Sequence, residues 1–160
     1  MVAAGLLAGV NSLTRVRIIA AAQAEEEASL KEVLPEAARF EAVKSGDAIL
    51  YYQALDKNEK PVGVAFKTAG QGYSSTIETM VGMLEDGTIT TIKVLSHNET
   101  PGLGARVAEP DFTRQFSRVK ANDLAGVQAI TGATISSKAV MDAVKKKAAE
   151  VSVLLIDKDK

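Results

Sequence analysis

Apolar residues along this chain fall into short runs divided by polar turns, a pattern that predicts strands through the middle and a long helix at the end. Residues 23–44 are rich in Ala and Glu, and Leu30, Val33 and Leu34 share one face at helical spacing. Proline breaks or kinks a helix, so the first helix is expected to end near Val33 or Leu34, with a second short turn starting with Pro35. Asp47–Leu55 and Pro61–Phe66 read as two strands joined by polar residues 56–60, a hairpin. Thr76–Leu84 and Thr88–Leu95 read as a second pair around Glu85-Asp86-Gly87, where glycine supplies the positive φ such turns need. Ile89, Ile92 and Val94 break strict alternation, which leaves the facing of that strand open. Gly70–Ser75 is expected as a flexible polar loop that admits close approach of a ligand to the backbone. Pro110-Asp111-Phe112 opens a short helix with Phe112 and Phe116 on one face, and Val127–Ile130 reads as a last short strand. From Ser136 or Ser137 to about Ile156, Val140, Val144, Ala148 and Val151 recur at helical spacing, with Lys138, Lys145, Lys146 and Lys147 mostly outward. The expected fold is α+β: a single domain of mostly antiparallel β-sheet flanked by helices, with an N-terminal helix.

The first ten residues, Met1 to Val10, are apolar and small, and Asn11, Ser12 and Thr14 follow before Arg15 and Arg17. A helix needs roughly 20 apolar residues to span a bilayer, and a secretory signal carries a basic region ahead of its apolar core. This segment has neither, so three readings stay open. It is part of a transmembrane anchor, a weak signal ending near Ala20-Ala21-Ala22-Gln23-Ala24, or a core helix.

Composition narrows the chemistry. At 160 residues the chain has the size of one ordinary domain. With 19 Lys+Arg against 20 Asp+Glu it lacks the basic field that non-specific nucleic-acid binding requires. The absence of cysteine removes disulfides, iron–sulfur ligation and thiolate nucleophiles, and a single histidine removes a poly-His metal site. No evident nucleophile motif accompanies that histidine, so a hydrolytic triad has nothing to be built from. Any redox chemistry must come from an organic cofactor.

The most informative run is Thr131-Gly132-Ala133-Thr134, followed by Ile135-Ser136-Ser137. A turn leading from a strand to a helix N-terminus presents unpaired N–H groups and the positive end of the helix dipole, which favour a phosphate. Gly132 allows a sharp bend, Ala133 keeps the surface low, and Thr131, Thr134, Ser136 and Ser137 place hydroxyls around it. A threonine hydroxyl is a poor nucleophile unassisted, and no His or Asp adjoins it here. Taken alone, the run also reads as a helix cap. Upstream stands a second motif, His97-Asn98-Glu99-Thr100-Pro101-Gly102-Leu103-Gly104.

Together these motifs resemble the FMN-binding domain of the G subunit of the Rnf electron-transport complex, an ion-translocating ferredoxin:NAD oxidoreductase. The related C subunit of the sodium-translocating NADH:quinone reductase shares them. The resemblance covers nearly the whole chain, including Gly72-Tyr73-Ser74 and Leu30–Pro35. It implies that Thr134 carries FMN through a phosphoester installed by a separate magnesium-dependent flavin transferase. Thr131, Gly132, Ala133, Ser136, Glu99, Thr100, Gly102, Leu103, Gly104, Tyr73 and Ser74 are the implied pocket. It further implies a redox subunit with no turnover of its own, other Rnf subunits as partners, and no nucleic acid. The setting implied is the cell inner membrane, held by a single-pass N-terminal helix, with the flavin domain on the extracytoplasmic side. On that reading residues 1–22 are the remnant of an anchor with its juxtamembrane helix, and residues 23–160 the FMN-binding domain.

One position departs from the resembled pattern. Gln128 stands three residues before Thr131, where the family usually has Asp, which keeps hydrogen bonding and loses charge. His97 reads as structuring its loop, with a proton-donating role as the alternative. Asn98-Glu99-Thr100 fits a glycosylation pattern that the following Pro101 discounts. Lys145-Lys146-Lys147 reads as a solvated helix face. Two other functions stay open: a non-covalent flavin-binding sensory or regulatory domain of a membrane protein, and a scaffold whose hydroxyl-rich turn only caps a helix.

Overall fold

A computed structural model of the chain describes residues 23–158, so the expected membrane-anchor segment 1–22 lies outside the described residues. Residues 23–33 are helical (α1), and the helix stops where Pro35 requires, with the Leu34 N–H still bonded to the Leu30 carbonyl at 3.0 Å. Beyond it the chain does not return to helix as residues 35–44 were expected to do. It enters strand β1, Arg39–Ser45, because the Ala38 N–H finds the Leu55 carbonyl at 2.7 Å and opens an antiparallel ladder. Strands β2 (Ala48–Leu55), β3 (Pro61–Gln71), β4 (Thr76–Met83) and β5 (Ile89–Ser96) follow in sequence order, all antiparallel. Both expected hairpins are present, and Gly87 takes φ +79°. The expected 70–75 loop is shorter than its composition suggests, because β3 runs on through Gln71, paired with Thr76.

Strand β5 shows why its alternation was broken. Gly82 pairs with Thr91 and Met83 with Ile89, which leaves Thr90 as an extra residue on β5, and Leu95 is skipped in the same way. The bulge places Ile89 and Ile92 together in the core at a spacing of three. It also turns the Thr90 hydroxyl onto the Val33 carbonyl at 2.6 Å, capping the end of α1.

The sheet is buried on both faces. On one face Leu30, Val33, Leu34 and Ala37 pack against Ala54, Ala65 and Met80. On the other Val64, Phe66, Ile77, Val81 and Met83 meet Val140, Val144, Ala148 and Val151 of a 25-residue helix, Thr134–Lys158 (α3). Alternate residues of β3 thus serve opposite layers, Ala65 one and Val64 and Phe66 the other. A short helix, Pro110–Thr113 (α2), and the 3-10 turn Arg114–Phe116 close the end of the second layer, with Phe112 and Phe116 edge to face at 5.3 Å. The architecture is the expected α+β arrangement. Val127–Ile130 is not the strand that was expected: it is irregular, and its N–H groups are met by side chains and a local turn.

Helix α3 crosses β3 at unusually short range, and this crossing sets where its N-terminus lies. The Thr68 hydroxyl donates to the Ala143 carbonyl at 3.0 Å, and a Cβ added at Gly70 would run into the Ala139 carbonyl. Gly70→Ala is therefore expected to lower stability by about 1–3 kcal/mol by overpacking, read as a lower midpoint in urea denaturation. An unchanged midpoint would show that the crossing relaxes freely.

Candidate functional site

The loop from His97 to Gly104 folds around one carboxylate. Glu99 is 5 % exposed, yet among the described residues nothing positive faces it; its oxygens are met instead by a set of hydrogen-bond donors. Backbone N–H groups of Ser74 and Ser75 donate to Oε1, both at 2.9 Å, and that of Tyr73 donates to Oε2 at 3.2 Å. The Ser136 hydroxyl adds a 2.6 Å bond to Oε2 and the Ser75 hydroxyl a longer one, 3.3 Å, to Oε1. Burial by itself would raise the pKa of Glu99, but the bonds from Ser136, Ser74, Ser75 and Tyr73 outweigh it and bring it down to about 2. The carboxylate thus joins three segments: the β3–β4 loop, its own loop, and the first turn of α3.

Its neighbours fit that role. A Cβ at Gly104 would lie 2.5 Å from Glu99 Oε2 and 2.7 Å from Ser136 Oγ, and one at Gly72 would lie 2.6 Å from Glu99 Oε1. Glycine is needed at both because the carboxylate occupies the space a side chain would fill. The Glu99 N–H donates to His97 Nδ1 at 3.2 Å, so the histidine structures its loop.

On the far side of this hub the chain turns into α3. Gly132 has φ +81°, the bend expected of it, and the Ala133 N–H closes the turn onto the Ile130 carbonyl at 2.9 Å. The helix begins at Thr134, two or three residues earlier than expected, so the first N–H groups of α3 have no carbonyl a turn behind them. Thr134 is exposed, whereas Ser136 and Ser137 face inward: one to Glu99, the other accepting the Ile130 N–H at 3.0 Å and donating to the Ala133 carbonyl at 2.9 Å.

Between the two motifs lies a cleft of about 400 Å³ lined by Tyr73, Glu99, Thr100, Leu103, Gly104, Gly132, Ala133, Thr134, Ile135 and Ser136. Nine of the twelve residues singled out from the sequence therefore meet at one place. Three do not line it. Ser74 faces Glu99 through its N–H, Gly102 makes the loop's turn at φ +73°, and Thr131 lines a separate hollow beside Arg106 and Gln128. Two residues went unread. Ser75 gives Glu99 both its N–H and its hydroxyl, and Ile135 is a large apolar side chain left 56 % exposed at the rim. Tyr73 and Leu103 share that rim at 73 % and 49 % exposure. A larger groove of about 700 Å³ beside the distal half of α3 contains none of the motif residues.

The arrangement suits a flat, largely apolar ring carrying a phosphate. Tyr73, Leu103 and Ile135 offer exposed apolar surface, the α3 N-terminus offers N–H groups and its dipole, and the Thr134 hydroxyl stands free at that end. Among the described residues no group of acidic or histidine side chains is placed to hold a metal ion.

Comparison with known proteins agrees with this geometry. Residues 72–149 match the FMN-binding domain family. The G subunit of the ion-translocating oxidoreductase complex of Methanosarcina acetivorans is 36 % identical over 156 residues, spanning 89 % of this chain and 83 % of that protein. The G subunit of the proton-translocating ferredoxin:NAD(+) oxidoreductase complex of Clostridium ljungdahlii is 36 % identical over 110 residues, 63 % of this chain and 60 % of that one. The crystal structure of Shewanella oneidensis NqrC shares the fold, with a TM-score of 0.53 at 23 % identity over 71 % of this chain and 66 % of its own.

The Glu99 hub generates a pH signature. Its folded-state pKa lies below the ordinary 4.5, so its stabilisation is complete above that value and is lost as pH falls from about 4.5 towards about 2. Glu99→Gln, which turns an amide NH2 towards N–H donors, is expected to cost about 1–3 kcal/mol at neutral pH. It should also flatten the acid limb of stability measured by urea denaturation across that range. An acid limb identical in both proteins would show that Glu99 does not carry it.

Proposed function

The chain belongs to the family of G subunits of ion-translocating oxidoreductase complexes, and from that membership and its site we propose that it is an electron-transfer subunit carrying FMN. Bound FMN supplies the redox couple that the side chains lack. The observation that carries the reading is the convergence of the two motifs on one cleft, with an exposed Thr134 hydroxyl at a helix N-terminus beside an exposed apolar rim. Tyr73, Leu103 and Ile135 bind the ring, the first N–H groups of α3 hold the phosphate, and Glu99 keeps the walls in register.

The finer reading is a covalent one. A phosphoester forms between Thr134 Oγ and the phosphorus of FMN, the bond from that phosphorus to the leaving nucleotide of a flavin dinucleotide breaks, and the hydroxyl proton is lost. Nothing in the cleft is fit to remove that proton: Glu99 is the acid residue lining it, and its lone pairs are taken up by donors at a pKa of about 2. The base must therefore come from outside the cleft, which fits a separate flavin transferase as the expected maturation partner.

Membership also proposes the setting: other subunits of the complex as partners, and association with a membrane. Among the described residues no helix is long and apolar enough to cross one. On this proposal residues 1–22 are the remnant of a membrane anchor, and residues 23–160 the flavin domain on the extracytoplasmic side. There a covalent bond retains a cofactor that the cytoplasmic pool could not replace.

The test is intact mass and visible spectrum of the chain produced beside a flavin transferase from the same source. The expected result is a gain of FMN less one water, persisting after denaturation and absent from Thr134→Ala. A flavin spectrum that is lost on denaturation would favour a non-covalent binding domain. A bare mass, with a standard acceptor modified in the same cells, would overturn the covalent assignment.

A further inference from the structure

The chain that delivers the Thr131–Thr134 turn pairs with no strand among the described residues, so its position depends on a few bonds from outside. The Gln128 N–H donates to Gln115 Oε1 at 2.8 Å. The Nε2 of the same side chain donates to the Asp111 carbonyl at 3.2 Å and, at 3.4 Å, back to the Gln128 carbonyl. Two residues on, the Ile130 N–H is taken by Ser137 Oγ. Ser137 belongs to α3 and moves with the turn. Gln115 belongs to another body: it lies beside Phe116, which is fully buried and edge-on to Phe112. A primary amide is suited to the task because it accepts from an N–H and donates to a carbonyl at once, as a strand edge does.

Gln115 does not line the flavin cleft. It borders the hollow that holds Arg106, Gln128 and Thr131, so substituting it removes no residue that lines that cleft.

We infer that Gln115 is a positioning residue for loading the flavin: by clamping the Gln128 backbone to the α2 end of the core, it fixes where the Thr134 hydroxyl is offered. This inference rests on the covalent reading above. The assisted step is the same one, in which the Thr134 Oγ–phosphorus bond forms, the bond to the departing nucleoside monophosphate breaks, and the hydroxyl proton passes to the transferase's base. Attack of this kind is sensitive to placement, and a 1 Å error can cost roughly a hundred-fold in rate.

Two measurements on the full chain decide it. In the first, loading by the transferase is followed over time by intact mass for the natural protein, Gln115→Leu and Gln115→Glu. Gln115→Leu removes both bonds at similar volume, whereas Gln115→Glu keeps an acceptor for the Gln128 N–H. Loading of Gln115→Leu is expected to slow roughly ten- to a hundred-fold with little change in melting temperature, and Gln115→Glu to lie closer to the natural rate. In the second, hydrogen exchange of the flavin-free natural chain is expected to show a protected Gln128 amide, with that protection lost in Gln115→Leu and the β3 and β4 amides unaffected. Natural-rate loading of Gln115→Leu, or an unprotected Gln128 amide in the natural chain, overturns the positioning role and leaves Thr134 as acceptor. Failure of the natural chain to load at all, where a standard acceptor does, overturns both readings. If Gln115→Leu does not fold, the natural chain's exchange and the Gln115→Glu rate decide.

Discussion

A buried carboxylate with no cation beside it among the described residues is the constraint on which the rest of this site depends. Taking Glu99 out of water is costly, and an ion pair would ordinarily offset that cost. Here backbone N–H groups from the β3–β4 loop and a hydroxyl from α3 do so instead. Because the donors come from two stretches of chain and the carboxylate from a third, the charge is stabilised only when all three are in place. The arrangement makes the cleft cooperative: displacing the loop that carries Tyr73 strips donors from the carboxylate that also holds Ser136, in the first turn of the helix that starts at Thr134. It explains Gly72 and Gly104 together, since both leave room for the carboxylate.

The sheet and α3 supply what the hub cannot, which is distance. Alternation along β3 gives Val64 and Phe66 to the α3 layer and Ala65 to the α1 layer, so the sheet is clamped between two helices. The Thr68 bond to Ala143 and the contact of Gly70 with the backbone at Ala139 fix α3 along that face. A long helix held in its N-terminal half presents its N-terminus at a set place, and there the two motifs meet across the cleft. The opposite face is tied as firmly. Tyr52 and Lys67 both bond to Glu26 on α1, Lys93 bonds to Glu32, and Thr90 caps the Val33 carbonyl.

How much of this was legible follows from the range of the interactions concerned. Local patterns were readable: the two hairpins, the break at Pro35, the Phe112–Phe116 face and the Val140–Val151 stripe are set by residues near one another in sequence. Misreadings fell where a distant partner decides. Arg39–Ser45 is a strand because β2 offers it a ladder, and helix-favouring residues there yield to that pairing. Val127–Ile130 has the composition of a strand, but Gln115 and Ser137 take its N–H groups before any strand can. The broken alternation of β5 was a true signal of two bulges, visible only once its partner strand was known. For the site, the motifs pointed to residues that mostly line one cleft, without the contacts they make to one another. Glu99 lines that cleft, and the sequence did not show that its carboxylate also gathers the loop and α3 donors, with Ser75, outside both motifs, among them.

The exposure of the cleft bears on why a covalent bond belongs in the proposed reading. A site that holds a cofactor by fit alone usually buries most of it, within walls that are apolar and largely closed. Here the apolar walls are Tyr73, Leu103 and Ile135, each about half exposed or more, and the floor is given over to a carboxylate and its donors. Such a surface offers a ring contact area but little enclosure, and association must overcome the loss of free motion before any contact counts. Joining the phosphate to Thr134, as proposed, would remove that loss, since a tethered ring would meet its surface at a local concentration on the order of millimolar. Such a tether would leave the rim free to stay open. For a carrier that must hand electrons to neighbouring subunits, an exposed ring edge is an advantage that a deeper pocket would forfeit.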